Sequence, residues 1–426
     1  MKLRSLLYGV ILISCTFFLN SCGRSKETKN VEGKVSAKDV AEASGTVSLW
    51  AMGTEGELLA DFTKTFEKTH PDIKVEVTPI PWSSAHDKIQ TAIAGGVTPD
   101  IAMMGTTWMS DFANGLAAVP DFIDLSDFFD SSLSTAKIQS RTVGVPWYVD
   151  TRVVYYRTDI AEKAGWKQSP ATWEQFKQMA SDMQKVDGVR YGVRLQTIDA
   201  DAFQNSLWML WTAGGDVLNK DATEWTLNTN EMLEALNFYT SFFKDGIADV
   251  NVDTSNGADQ TRFIAGDTPM LIEGPWFSGA VKELGGNDFS SKFSVAVLPT
   301  KKTNTSFIGG ANLVVFKDGK NSAAAWALIQ WLSDPEIQVN FWKISGDLPA
   351  AKKAWTDPVL ADDPILSVFG KQLNNAKAPP SLESWTQVAA AGNVLLEKMA
   401  RGTIASSDAL SELQHQAEQI GVNLHD

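Results

Sequence analysis

The sequence predicts an α/β protein with more than one domain. Its 426 residues exceed what a single hydrophobic core serves, because cores stop growing at roughly 250–300 residues. With 44% hydrophobic residues, the chain can bury enough apolar surface to offset the entropy that it loses on folding. Between residues 46 and 105, short apolar strands alternate with helices, as they do where crossover helices join parallel strands. Together these observations indicate layered α/β domains.

The predicted elements follow from local patterns along the chain. An apolar stretch at 46–51 predicts a strand, and apolar residues spaced three to four apart over 58–66 predict the next helix. Strict alternation at 73–77 predicts the second strand. The same patterns predict helices at 86–94, 171–184, 202–213, 231–244, 323–332, 336–344, 382–400 and 407–420, and strands at 101–104, 269–272, 293–297 and 312–316.

The first 21 residues predict an export signal. Lys2 and Arg4 precede a mostly apolar run at 6–19, which is too short to span a membrane comfortably. The run ends in the letters LNSC, which resemble a bacterial lipobox; the resemblance implies cleavage before Cys22 and diacylation of its thiol. Residues 22–45 have few large apolar side chains, so they predict a disordered tether between the lipid and the folded body.

Composition and motifs exclude several classes of function. A formal net charge of −14 argues against nucleic-acid binding, which needs a basic face. Two cysteines cannot build a disulfide scaffold or a thiolate zinc site, and the four histidines lack the spacing of metal ligands. The chain carries no P-loop, no G-x-S-x-G and no G-x-G-x-x-G after a strand. We therefore expect no enzyme, no cofactor and no metal.

Three predicted strands end in segments suited to a ligand. These segments are Gly53-Thr54-Glu55, Gly105-Thr106-Thr107-Trp108 and Gly274-Pro275-Trp276. Each combines a glycine, which lets a backbone approach a ligand, with a polar group or an indole. Ligands of open α/β sheets bind at the carboxyl ends of the strands, so these segments are candidates for one site.

Seven motifs together resemble a known family. They are 66–75 (FEKTHPDIKV), 88–101 (KIQTAIAGGVTPDI), 145–157 (VPWYVDTRVVYYR), 270–276 (MLIEGPW), 297–299 (VLP), 309–313 (GGANL) and 346–350 (GDLPA). In this order they resemble the extracellular solute-binding proteins of ABC importers, in the oligosaccharide-binding branch that includes maltose- and trehalose-binding proteins. The resemblance extends from about residue 46 to residue 420.

The resemblance implies a two-lobed periplasmic-binding-protein fold of the type II kind, with an α/β sheet layer in each lobe and a hinge between them. It implies that residues 46–150 and 311–346 form lobe 1, and that 151–310 and 347–426 form lobe 2. The implied protein is a monomer that is exported, anchored to a membrane by its N-terminal lipid, and delivers a carbohydrate to the transmembrane subunits of an ABC permease.

Ten residues are candidates for contact with the sugar. By resemblance, Trp276 and Trp385 stack on sugar rings, Tyr148 and Asp150 form a polar pair on the hinge strand, and Gly310 offers backbone groups. The remaining candidates rest on their positions at strand ends or beside these residues: Glu55, Thr107, Trp108, Trp147 and Gln204. Aromatic faces and carboxylates suit the C–H faces and the hydroxyl rims of sugars.

Two other functions fit parts of the pattern. Aromatic rings with acids also suit a cationic solute such as a polyamine or betaine, because ring faces attract cations. A secreted glycoside hydrolase would use a pair of carboxylates, and the chain has acid pairs, although none stands out from its many surface acids. Anionic ligands are disfavoured, because no cluster of arginine and lysine lies at the strand ends.

Overall fold

A computed structural model of the protein describes residues 35–138, 140–198, 201–255 and 257–422. The predicted export signal, Cys22 and the first part of the predicted tether lie outside the described residues. Among the described residues, no helix has both the length and the apolar character of a membrane span.

The strands contribute mainly to two sheets. In chain order they are β1 Gly45–Met52, β2 Ile73–Ile80, β3 Ile101–Gly105, β4 Lys137–Ile138, β5 Arg141–Thr142, β6 Val145–Thr151, β7 Val153–Arg157, β8 Met270–Glu273, β9 Phe293–Ala296, β10 Ser306–Val315, β11 Leu348–Pro349 and β12 Ala376–Lys377.

The helices cover these sheets and fill the second half of the chain. They are α1 Ala37–Ala41, α2 Gly53–Phe62, α3 Lys64–Thr69, α4 Trp82–Gly95, α5 Met109–Phe112, α6 Asp130–Thr135, α7 Thr158–Lys163, α8 Trp173–Met183, α9 Ala202–Thr212, α10 Asn230–Lys244, α11 Ala258–Ala265, α12 Trp276–Gly285, α13 Ser322–Leu332, α14 Pro335–Ser345, α15 Pro358–Ala361, α16 Leu366–Leu373, α17 Trp385–Ala400 and α18 Ser406–Ile420.

The larger sheet has the strand order β2-β1-β3-β10-β6-β11, and β12 pairs with β10. β1 is parallel to β2 and β3, whereas β10 runs antiparallel to both β3 and β6. The strands β1, β3 and β6 therefore point the same way, and their carboxyl ends meet at one edge of the sheet. This is the edge at which the strand-end rule places a ligand.

The smaller sheet has the order β8-β7-β9 and is antiparallel throughout. The chain passes from the larger sheet to the smaller one at Arg152, between the end of β6 and the start of β7. Here the Arg152 N–H donates to Ser306 Oγ at 3.2 Å, and the Ser306 hydroxyl donates to the Arg152 carbonyl at 2.8 Å. The passage is thereby tied to the start of β10. The predicted residue boundaries of the lobes stay a prediction.

Two clusters of buried side chains support this arrangement. One surrounds the larger sheet and includes Leu49 and Trp326, both almost fully buried. The other lies among α8, α9, α10 and α17 and includes Phe176 and Trp208. Each cluster buries apolar faces that the helices present at spacings of three to four residues, as the sequence predicted.

The predicted tether at 22–45 is wrong for residues 35–45. Ser36 and Asp39 form a capping box at the start of α1, in which each side chain bonds the backbone N–H of the other residue. Val40 then packs against the core of the larger sheet, and β1 begins at Gly45. The polar composition of this stretch hid the capping pair and the few apolar side chains that pack against the core.

Thr172 caps α8, and its loss is expected to reduce stability. Its hydroxyl accepts a hydrogen bond from the Gln175 N–H at 3.2 Å. We expect Thr172→Ala to lower the free energy of unfolding by about 1 kcal/mol, measured by urea denaturation. Thr91→Ala, at an exposed site inside α4, is the control and is expected to cost nothing. Equal stability of wild type and Thr172→Ala would contradict the capping role.

Candidate functional site

A cavity of about 560 Å³ lies at the edge where the strands of the larger sheet end. The larger sheet and the helix after β1 contribute Glu55, Tyr148 and Asp150 to its wall. Opposite them lies the start of α12 with Trp276, and the segment between α14 and β11 adds Asp347. The cavity thus lies between elements of both sheets, which is a common place for a small-molecule site.

Trp276 presents a flat aromatic face at this cavity. It is the first residue of α12 after Pro275, and 49% of its surface is exposed. Its ring folds back over Gly274, where an added Cβ would lie 2.2–2.7 Å from three ring atoms. Only glycine tolerates that approach. The Gly-Pro turn therefore sets the orientation of the indole.

Arg152 links Trp276 with the acid on the hinge strand. Its guanidinium carbon lies 4.6 Å from the centroid of the Trp276 ring, and its Nη1 lies 3.0 Å from Asp150 Oδ1. A cation over an indole and beside a carboxylate is attracted by both. The Arg152 side chain therefore contacts two of the predicted ligand-binding residues: Asp150 on β6 of the larger sheet, and Trp276 on the helix that follows β8 of the smaller sheet.

Two acids of the cavity, Glu55 and Asp347, lie in an environment that disfavours ionisation. Burial raises the pKa of Glu55 above its usual value. Burial, together with the charges of Glu55 and Asp150, raises the pKa of Asp347 to about 7. Burial and the same carboxylates also hold the pKa of Tyr148 well above its usual value. Carboxyl groups close enough to affect one another in this way offer several hydrogen-bond acceptors to a ligand.

Thr107 and Trp108 lie in the turn after β3, in an aromatic cluster beside Glu55. The Trp108 ring packs edge-to-face against Trp82, with centroids 5.4 Å apart. An added Cβ at Gly53 would lie 2.8 Å from both Trp82 Nε1 and Glu55 Oε2, so these two side chains approach each other there. The cluster adjoins the cavity through Glu55. Direct ligand contact by Thr107 and Trp108 stays a prediction.

Three predicted contacts are not among the residues that line the cavity, and ligand contact by them stays a prediction. Trp147 is 2% exposed and packs against Phe341, with ring centroids 4.9 Å apart. Alternation along β6 explains this, since Tyr148 and Asp150 point to the face opposite Trp147. Trp385 is 3% exposed, and its Nε1 donates to Gln204 Oε1 at 2.8 Å. Trp385 and Gln204 thus satisfy each other away from the cavity.

Gly310 lies on β10 beside β6, and its backbone conformation explains why this position is a glycine. Its φ of +117° is one that L side chains rarely adopt, and an added Cβ would lie 2.2 Å from the Tyr148 carbonyl oxygen. The glycine therefore allows β10 to approach β6 closely. Contact between its backbone and the ligand stays a prediction.

Several residues at or beside the cavity were not among the predicted contacts, notably Trp82, Arg152, Trp342 and Asp347. Signals for two of them were present, because Arg152 follows Asp150 in one family motif and Asp347 lies in another. Trp342 falls at helical packing spacing, which favoured the core. Within the described residues, no group of histidine, cysteine, aspartate and glutamate could hold a metal ion.

The fold and the cavity together define a two-lobed solute-binding protein. The chain belongs to the bacterial extracellular solute-binding protein family, whose model matches residues 52–339. This family consists of binding proteins rather than enzymes, which confirms the predicted class and supports export.

Individual relatives agree with this assignment. The structure is similar to that of the sugar-binding protein MalE from Xanthomonas citri, with a TM-score of 0.83 and 31% identity over 88% of this chain and 97% of that one. The two-lobed α/β fold is thereby confirmed. A binding protein of Brucella abortus is 29% identical over 362 residues, covering 83% of this chain and 87% of the relative. The galactooligosaccharide-binding protein of Bacillus subtilis is 22% identical over 396 residues, covering 90% and 91%.

Proposed function

We propose that the protein is the carbohydrate-binding subunit of an ABC importer and that it binds a di- or oligosaccharide in the cavity. The observation that carries the proposal is the pairing of the half-exposed Trp276 ring with Glu55 and Asp150 across one cavity. The ring suits the apolar face of a pyranose, and the carboxylates accept from its hydroxyls. Relatives named for sugar binding support the same ligand class.

Closure of the lobes would complete the site. The cavity wall combines elements of both sheets, and the chain passes between the sheets at Arg152. A rotation absorbed by a few residues there would bring Trp276 towards the acids while each sheet keeps its internal packing. The closed, loaded form is the one that we expect the permease to receive.

The cellular setting is proposed from the sequence. The lipobox supports a lipid anchor at Cys22, with residues 23–34 as the tether that remains once α1 is counted in the folded body. Transmembrane subunits of an ABC permease are the proposed partners. The proposed working unit is a monomer, because one chain supplies both sides of the cavity.

Isothermal titration with a panel of solutes tests the ligand class. We expect at least one of maltose, maltotriose, trehalose, lactose and diacetylchitobiose to bind and to be recovered intact after incubation. Spermidine and glycine betaine represent the cationic alternative. Binding of either cation with no binding of any sugar would overturn the proposal, and steady hydrolysis of a bound sugar would restore the hydrolase alternative.

A further inference from the structure

Asp347 occupies a position in the cavity that its own chain does not satisfy. It follows Gly346, which ends α14 in a left-handed conformation, and directly precedes β11. Its backbone N–H donates to Ser345 Oγ at 3.0 Å. Its Oδ2 is buried and has no hydrogen-bond partner among the described residues. A buried carboxyl oxygen without a partner is costly, so this atom is suited to a ligand.

The groups that face Asp347 come from several elements. Glu55 on α2 and both Asp150 and Tyr148 on β6 line the same cavity. The charges of Glu55 and Asp150 raise the pKa of Asp347, and the charge of Asp347 in turn raises the pKa of Tyr148. The other charged groups of the cavity wall are Lys282 on α12 and Asp363 before α16. Arg152, a cation beside the cavity, is paired with Asp150.

Tyr148 gives a second indication that a ligand belongs here. Its side chain is 9% exposed and lines the cavity, and its hydroxyl makes no hydrogen bond within the described part of the chain. The hydroxyl is open to solvent and is therefore available to a ligand. A buried carboxyl oxygen without a partner and an accessible phenol hydroxyl thus belong to one cavity.

Sugar hydroxyls need donors as well as acceptors. Each hydroxyl donates one hydrogen bond and accepts others, whereas an ionised carboxylate only accepts. If Glu55, Asp150 and Asp347 were all ionised, their charges would repel one another and the sugar oxygens would meet few donors. Protonation of one of the three removes the repulsion and adds a donor. Asp347, whose pKa is raised to about 7, is the candidate for that proton.

We propose that Asp347 binds the ligand as a neutral carboxylic acid that donates a hydrogen bond to a sugar hydroxyl, so that loading takes up a proton. This proposal rests on the proposed sugar-binding function. Binding removes water from the acid and supplies an acceptor for its proton, and both changes favour the neutral form. Affinity therefore falls as the pH rises above about 7, by up to about tenfold per pH unit.

Titration calorimetry in buffers of different ionisation enthalpy counts the protons exchanged. The probe is the tightest-binding sugar of the panel above, titrated at pH 5.5 and pH 7.5 in two buffers each. We expect the wild type to take up about half a proton or more per sugar at pH 7.5 and close to none at pH 5.5.

Two variants with the same substitution separate Asp347 from its surroundings. Asp347→Asn keeps a donor in place without a titratable group, so proton uptake is expected to vanish while affinity at pH 5.5 stays within about threefold of wild type. Asp363→Asn alters an acid on the same cavity wall and is expected to retain the uptake. Sugar binding without proton uptake by the wild type, or uptake that survives Asp347→Asn, would overturn the proposal and leave the proposed function standing. Absence of binding by every sugar would overturn both.

Discussion

Trp276→Ala is expected to weaken sugar binding by about 1–3 kcal/mol, or roughly 5- to 150-fold in Kd. The indole is half-exposed at the cavity and does not belong to the hydrophobic core. A ligand that covers it therefore buries a large aromatic face. Removal also takes away the ring on which the Arg152 guanidinium lies, and that guanidinium holds Asp150. The loss therefore affects stacking and the placement of an acceptor together.

The measurement is titration calorimetry with the sugar that binds wild type most tightly. Leu284→Ala is the matched control, because Leu284 is an apolar residue on the same helix, 61% exposed and away from the cavity. It should bind like wild type. Trp276→Phe retains part of the flat surface and should fall between the two. Unchanged affinity of a folded Trp276→Ala variant would remove this residue from the site.

Asp347→Asn is expected to stabilise the ligand-free protein at alkaline pH. The pKa of Asp347 is raised from 3.8 to about 7, so the native state holds a proton in the pH range where the unfolded chain has released it. Wild-type stability therefore falls as the pH rises from about 4 to 7, and the cost is fully present above pH 7. With about 1.4 kcal/mol per pKa unit, that cost reaches about 4 kcal/mol.

Urea denaturation without ligand at pH 5 and pH 8.5 checks this expectation. The stability difference between Asp347→Asn and wild type should grow by about 3 kcal/mol between the two pH values. Asp363→Asn, which removes another acid of the same cavity wall and leaves Asp347 in place, should show much less change. Equal destabilisation by Asp347→Asn at both pH values would instead indicate that the carboxylate accepts a hydrogen bond that stabilises the fold.

Local patterns predicted the elements of the fold well, because their causes are local. Alternation and helical spacing predicted β1, β2 and α8, and the strand-end rule predicted Glu55 and Trp276 at one site; both line the cavity. The arrangement in two lobes was predicted from the family resemblance, because the spacing of apolar residues does not indicate how the elements group into lobes.

The predicted contacts that lie outside the cavity lining concern which face a tryptophan occupies. Trp147 and Tyr148 are adjacent on β6, and the sequence does not say which of them points to the cavity. Trp385 is buried through its bond to Gln204, which lies 181 residues away along the chain. Asp347 was missed because its raised pKa depends on burial and on the charges of Glu55 and Asp150, both of which only the fold provides.

The position of β10 in the sheet determines when the larger sheet can be completed during synthesis of the chain. This strand lies between β3 and β6, yet it is the last of the three to be synthesised, some 155 residues after β6 ends. Until residue 315 has been made, β3 and β6 each present an open edge to the medium. The nascent N-terminal half therefore cannot complete the larger sheet, because the strand that joins β3 to β6 is supplied only after most of the chain has been synthesised.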